Sequence, residues 1–167
     1  MQLPGPFGIS PLSGTADRVT LPPRTIDLDD SSAPDRGRLR FTGFRFDRSR
    51  AGQCHAEVQL TWTDGRVVTG RAEGQSSPIG DYRIAAEAAL NAIGGFTAGV
   101  IRFDLIGVKA IRAFDATLVV VSILAHRSDG VAKLCGCVLA EGDPIKGAAL
   151  SVLNATNRLI GNTVATR

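Results

Sequence analysis

The sequence lacks a long hydrophobic run, a signal peptide and an even set of cysteines. Its longest apolar stretch, residues 116–125, is interrupted by Thr117 and Ser122 and is shorter than the ~18–20 residues that span a bilayer. The N-terminus has neither the basic region nor the apolar region of a signal peptide. Three cysteines are a poor basis for a disulfide framework. These absences predict a cytoplasmic protein with no membrane partner.

Charge is moderate and scattered. The 167 residues include 19 Lys and Arg against 16 Asp and Glu, for a net charge of +3. A nucleic-acid-binding domain concentrates basic residues on one surface, so the sequence predicts no nucleic-acid partner. The hydrophobic content of 44% and the charged content of 21% are typical of a globular domain.

Histidine and cysteine are too few, and too poorly spaced, to indicate a metal site. Cys135 and Cys137 lie on one face if they are in a strand, and a hairpin could bring His126 near them. Structural zinc sites usually have cysteine pairs separated by two to four residues on loops. Cys54 and His55 are the other residues of these two types. We therefore expect no metal and no other cofactor.

Motifs for catalysis are also missing. Covalent catalysis needs a nucleophile with a positioned base, and the sequence has no Gly-x-Ser-x-Gly motif. The glycine-rich segment 70–74 lacks the Gly-Lys-Ser/Thr ending of a P-loop. We expect a non-catalytic protein. One alternative stays open: an enzyme built on the Cys/His group would bind metal or lose activity on Cys135→Ser.

What the sequence does contain is an internal duplication. The pair Asp64-Gly65 recurs as Asp129-Gly130, 65 positions later, and Asn91 in a helical pattern recurs as Asn154, 63 positions later. Each copy is too small to close a core alone, so the repeat predicts one pseudo-symmetric domain. A seam between the copies could bind a ligand or a partner.

The first copy has the pattern of three strands and a helix. Around Gly43 the alternation of apolar and polar residues shifts by one position, which predicts a strand with a β-bulge. Residues 54–62 also alternate between apolar and polar, which predicts a strand with one buried face. The chain returns through a third strand over residues 67–72. A helix follows that begins near Asp81, its N-cap, and ends at Gly94-Gly95.

The second copy repeats this order. Strands are predicted over residues 101–111, 116–125 and 131–139, and the second of these is apolar enough to be central in its sheet. Asp143-Pro144 then starts a helix with an N-cap and a proline at the first helical position. The predicted fold is α+β, a pseudo-duplicated βββα-βββα with antiparallel sheets and helices packed on one side.

Proline content marks the boundaries of this domain. Residues 1–37 contain six of the eight prolines and show no strand or helix periodicity, which predicts a flexible leader. The folded domain is expected over residues 38–162, and residues 163–167 form a tail.

This order of elements resembles a known module, the C-terminal regulatory domain of 2-isopropylmalate synthase and its homocitrate and citramalate synthase relatives. The resemblance covers residues 38–162 and rests on the element order, the Asp-Gly hairpins, the glycine-containing strand-to-helix turns and the helical Leu-Asn-Ala. It implies a homodimer that binds an end-product amino acid, such as leucine, between the pseudo-repeats and the dimer partner. The synthases carry this module behind a TIM barrel of about 250 residues. Here only the Pro-rich leader precedes it, so the resemblance implies the sensor without its enzyme.

The resemblance also places the candidate ligand-binding residues at the two strand-to-helix turns. In the first half they are Gly70, Glu73, Gly74 and Asp81, with the turn widened by residues 75–80. In the second half they are Gly136, Glu141, Gly142 and Asp143. Helix N-termini favour an anionic group, so a ligand carboxylate is one interpretation of Asp81 and Asp143. The other is that these side chains already cap their helices.

Two hypotheses of function follow. The first is a regulatory domain that binds an amino acid or a 2-oxo acid at the seam and thereby modulates an unidentified protein partner. The alternative is a structural or assembly protein that kept the dimer fold without a ligand pocket.

Overall fold

The computed structural model describes the backbone of residues 39–164 and side chains up to residue 161, and these residues belong to one compact unit. The predicted leader over residues 1–37 lies outside the described residues. The elements in chain order are β1 (Arg40–Arg48), β2 (Gln53–Thr61), β3 (Val67–Gln75), α1 (Gly80–Thr97), β4 (Arg102–Ala113), β5 (Ala116–Arg127), β6 (Gly130–Ala140) and α2 (Pro144–Val164). The predicted α+β class and the βββα-βββα order are confirmed.

Each half forms a three-stranded antiparallel sheet followed by a helix. The strand orders are β1-β2-β3 and β4-β5-β6, so β2 and β5 are the central strands, as predicted for β5. Alternate residues of β2 and β5 are fully buried on the inner face, among them Val58, Leu60, Val121 and Ile123. Helix α1 contacts α2 as well as its own sheet, so the two halves share one hydrophobic core.

A β-bulge interrupts the first strand of each half at a glycine. The β1–β2 register shifts between Phe41 and Gly43, which confirms the predicted slip. The β4–β5 register shifts between Leu105 and Gly107, at the equivalent place in the second copy. This second bulge was not predicted. Across it, the inward-facing positions of β4 pass from Leu105, which pairs with Ile123, to Val108, which pairs with Val121.

A strand glycine lets each helix approach its sheet closely. A Cβ atom on Gly70 in β3 would lie 2.1 Å from the backbone nitrogen of Ala92 in α1. A Cβ on Gly136 in β6 would lie 2.1 Å from the carbonyl oxygen of Ser151 in α2. Only glycine fits where helix backbone contacts strand backbone, and both halves use the same arrangement.

The ends of α1 differ from the prediction. The helix passes through Gly94-Gly95 and ends at Thr97, where Ala98 adopts a left-handed conformation (φ 51°) and donates its backbone N–H to the carbonyl of Gly94. Glycine tolerates the left-handed C′ geometry but does not enforce it. Asp81 is not the N-cap either, because the helix begins at Gly80 after Ile79.

The widened turn predicted in the first half is also wrong. Strand β3 continues to Gln75, which pairs with Gln53, so only residues 76–79 connect β3 to α1. Residues 141–143 connect β6 to α2. The two connections therefore differ by one residue, and Gly70 and Gly74 lie in a strand rather than in a turn. Gly136 likewise lies inside β6.

Candidate functional site

The first-half candidates lie along β3 and at the start of α1. Gly70 is buried under α1, and Glu73 and Gly74 are near the end of β3, where they pair with His55 and Cys54 of β2. Asp81 occupies the first turn of α1 and its carboxylate turns back toward the end of the β1–β2 hairpin. The structure therefore gathers Glu73, Gly74 and Asp81 at one end of the first sheet and leaves Gly70 apart.

Asp81 is a buried carboxylate with two partners. It is 4% exposed, and it accepts hydrogen bonds from the guanidinium of Arg48 (2.9 Å from Nε) and from the Ser76 hydroxyl (2.9 Å). The backbone N–H of Gly80, at the start of α1, donates instead to the hydroxyl oxygen of Ser77 (2.9 Å). Asp81 thus ties α1 to β1, since Arg48 is the last residue of that strand.

These contacts set the protonation states near Asp81. Burial on its own raises the pKa of Asp81, but hydrogen bonds from Arg48 and Ser76, together with the Arg48 charge, bring that pKa below its ordinary value. Burial raises the pKa of the Cys54 thiol, and the neighbouring Asp81 raises it further. The thiol therefore stays protonated at neutral pH and donates to the carbonyl of Gly74 (3.4 Å), which makes it a weak nucleophile.

An open cleft of about 660 Å³ lies beside this cluster. Its lining residues all belong to the first half: Asp47, Arg48, Ser49, Gln53, Cys54, His55, Glu73 and Gly74. The lining combines two carboxylates with a guanidinium and an imidazole. Such a lining can pair with both the amino group and the carboxylate of a zwitterion.

Among the described residues, the second-half candidates lie in a helix cap, in an exposed loop and under α2. The carboxylate of Asp143 accepts from the backbone N–H groups of Ile145 (3.0 Å) and Lys146 (3.1 Å), so Asp143 is the N-cap, as predicted, and its carboxylate occupies those donors. Glu141 and Gly142 are exposed in the connecting loop, and Gly136 faces α2. The capping interpretation therefore holds for Asp143.

The seam between the halves is filled by packed helices. The strand glycines that were candidates for a pocket, Gly70 and Gly136, are in contact with helix backbone. The inner stripes of both helices belong to the shared core, including Ala89, Ile93 and Val152, each fully buried. A ligand between the strand glycines and the helices would have to displace this packing.

The outer faces of the two sheets differ sharply in polarity. Val58 of β2 and Val121 of β5 are equivalent, because Val58 pairs with Gly70 and Val121 pairs with Gly136. With Val58 and Val121 as reference points, each outward-facing residue of β2 can be matched with its equivalent in β5. In β2 these residues are His55, Glu57, Gln59 and Thr61, and in β5 they are Leu118, Val120, Ser122 and Leu124. All four of these positions are polar in β2, whereas three of the four equivalent positions in β5 are apolar.

The flanking strands extend this contrast. On the first sheet Glu57 lies between Arg45 and Arg71, and Arg71 forms an ion pair with Glu57 (2.6 Å). On the second sheet we define the apolar face as Ile111, Leu118, Val120, Cys137 and Leu139, and the exposed Lys109 of β4 borders it beside Val120. Ile111 and Leu139 are 46% and 45% exposed, so no other part of the described chain covers them.

Charged groups border the apolar face. His126 contacts Asp104 (2.7 Å) on the outer face of the second sheet, and Lys133 lies in the same cross-strand row as Asp104. Cys135 and Cys137 are both free and exposed. Within residues 39–164, no group of three His, Cys, Asp or Glu side chains is arranged to hold a metal ion. Neither α1 nor α2, over the parts described, is long and apolar enough to cross a membrane.

In comparisons with known proteins, no family model matches the sequence and no curated protein shows significant similarity to it.

Sequence reasoning missed Arg48 and Cys54 as neighbours of Asp81, and it missed the apolar face. Arg48 is 33 positions from Asp81, and no local pattern signals such a contact. The apolar face did have a signal, because residues 116–125 are apolar at nearly every position rather than at every second one. Uniform apolarity also fits a central strand that is buried on both faces, which is the prediction made for residues 116–125.

Proposed function

We propose that this chain is a non-catalytic assembly domain that forms a homodimer in the cytoplasm. The observation that carries the proposal is that equivalent outward-facing positions differ in polarity between the two sheets, for example Glu57 in β2 and Val120 in β5. Both halves fold to one plan, so the fold itself does not require an apolar outer face on either of them. Contiguous exposed apolar surface of this kind is typical of association sites.

The packed seam supports assembly over ligand sensing at that place. Gly70 and Gly136 serve close helix packing, and Asp143 is occupied as a cap. The three cysteines are free, and two of them are exposed, which suits a reducing compartment.

Sedimentation equilibrium of the full chain over a hundredfold range of concentration tests this function. We expect a reversible species of twice the 17.5 kDa chain mass, with the same dissociation constant in the presence and absence of amino acids. A chain that stays monomeric up to millimolar concentration would refute the assembly function.

A second candidate function is a regulatory domain that binds an amino acid such as leucine, or a 2-oxo acid, and modulates a partner protein. The cleft beside Arg48 favours it, because a guanidinium that is about half exposed and the carboxylates of Asp47 and Glu73 line one space. The ligand would act by stabilising one arrangement of the dimer.

Thermal-shift and calorimetric screening of the twenty amino acids and their 2-oxo acids tests this second function. A shift that disappears in Glu73→Gln, and persists in Glu87→Gln on α1 outside the cleft lining, supports binding in the cleft. The absence of any shift, with a folded dimer confirmed, rejects it.

A further inference from the structure

We propose that a second copy of this chain packs face to face on the outer surface of the second sheet, with the two-fold axis running along β5. This inference rests on the proposed assembly function, for which it supplies the partner and the surface. The axis lies between the two sheets and parallel to the strands. Strand β5 of one copy therefore lies over β5 of the other, and β4 lies over β6.

A cross-strand row is a set of paired residues from β4, β5 and β6. This axis places each row over the same row of the second copy, with the order of the three strands reversed. Ile111, Leu118 and Leu139 form one row, so Ile111 faces the second copy's Leu139 and Leu118 faces its own equivalent. Val120 likewise faces Val120, and Lys109 at the border of that row faces the second copy's Cys137. The most apolar part of the surface is thus buried against itself, as an isologous interface requires.

The same axis brings opposite charges together. Asp104, Leu124 and Lys133 form another row, with Asp104 in β4 and Lys133 in β6. Since β4 lies over β6 of the second copy, Asp104 of each copy faces Lys133 of the other, and the contact occurs twice. An in-plane axis perpendicular to the strands would instead place β4 over β4 and would not bring this pair together. Complementary charge therefore favours the axis along β5.

The surface is large enough for a specific, reversible dimer. A three-stranded sheet with strands of about twelve residues spans about 40 Å by about 14 Å, or about 550 Å² for each copy. Two such faces bury about 1,100 Å² or more. This area lies above the roughly 1,000 Å² that a specific interface needs. Aligned packing of two sheets about 10 Å apart is a common arrangement.

The first experiment places a charge at the centre of the apolar face. Val120→Glu introduces a carboxylate opposite Lys109 in β4, much as Glu57 lies opposite Arg45 in the first half. We expect the dimer dissociation constant to rise at least a hundredfold. Gln59→Glu makes a matched change on the outer face of the first sheet and should leave the constant within threefold. Leu139→Lys, at a more exposed position, replaces Val120→Glu if that variant does not fold.

The second experiment exchanges the facing charges. Asp104→Lys alone and Lys133→Glu alone each place like charges together at two points, and each should weaken the dimer at least tenfold. The double variant restores opposite charges and should recover most of this loss. The recovery should shrink at high salt.

The outcomes separate the inference from the function it rests on. A monomeric parent chain overturns both. A dimeric parent whose dissociation constant is unchanged by Val120→Glu and Leu139→Lys overturns the inference and leaves the assembly function, with pairing through a strand edge as the replacement. A double charge variant that is as weak as the single variants overturns the axis along β5.

Discussion

The contacts of Asp81 show how one residue joins three elements. Its carboxylate binds Arg48 at the end of β1 and Ser76 in the β3–α1 connection, and it raises the pKa of Cys54 in β2. A buried carboxylate is stable only when its oxygens are paired. Arg48 is therefore as necessary to this site as Asp81 itself.

We expect Asp81→Asn to lower the free energy of unfolding by about 1–3 kcal/mol at pH 7, because the variant loses a charge-assisted hydrogen bond. The pKa of Asp81 is lower in the folded state than its unfolded value of about 3.9. The stability from the ionised carboxylate is therefore fully present above about pH 4 and is lost as the pH falls through the folded pKa. Urea unfolding at pH 7 and at pH 3 should show the difference between parent and variant shrinking in acid.

Glu57→Gln is the control for this prediction. Its hydrogen bond from Arg71 also lowers the pKa of Glu57, but Arg71 is 67% exposed and solvent weakens the pair. The variant should unfold almost as the parent does at both pH values. If the difference for Asp81→Asn is the same at both pH values, the charge of Asp81 is not the source of its contribution.

Phe114 is a second residue whose local geometry leads to a test. It is 92% exposed in the β4–β5 hairpin and has φ 55°, a conformation that costs a bulky residue about 1–2 kcal/mol. Phe114→Gly should raise the free energy of unfolding by about 0.5–1 kcal/mol, measured by thermal unfolding of the monomer at low concentration. Phe114→Ala keeps the Cβ atom and should show no such gain. A lower melting temperature for Phe114→Gly would show that the ring contributes to folding.

At the scale of elements, period-two alternation predicted most of the strands. It located the bulge at Gly43. The uniform apolarity of residues 116–125 indicated the central position of β5, and Asp143-Pro144 marked the start of α2. The end of β3 was not predictable, because residues 73–75 are polar or glycine and are held in the strand by pairing with β2. The end of α1 was wrong because two glycines were interpreted as a stop where the helix continues.

The strand glycines provide the test at this scale. Gly70→Ala and Gly136→Ala each force a Cβ into helix backbone, which cannot move aside as a side chain can. We expect each substitution to lower the free energy of unfolding by about 3 kcal/mol. Gly95→Ala in α1 has open space around its Cβ and should instead stabilise the protein by about 0.5–1 kcal/mol. Chemical unfolding of the three variants measures these free energies. Equal changes at all three positions would exclude close helix–strand packing as the reason for glycine at positions 70 and 136.

At the scale of the whole molecule, the duplication predicted the fold but not the location of the candidate sites. Gly70 and Gly136, which the resemblance assigns to ligand-binding turns, lie in strands and pack against the helix of their own half. A uniformly apolar strand such as β5 has two possible explanations, since its second face is covered either by the same chain or by another. Sequence alone does not distinguish them. Within the described residues, α2 covers only the inner face of β5, and Leu118 and Val120 lie on the opposite face.

The shared core makes a final prediction about cooperativity. Ile93 of α1 is fully buried in the cluster that also contains Val152 of α2. Ile93→Ala should lower the free energy of unfolding by about 2–4 kcal/mol. Because α1 and α2 belong to one core, hydrogen exchange should report the same decrease at Val58 in β2 and at Val121 in β5. The surface change Asn154→Ala should alter both values by less than about 0.5 kcal/mol. A decrease confined to Val58 would mean that the halves unfold independently, and the duplication would then describe two domains rather than one.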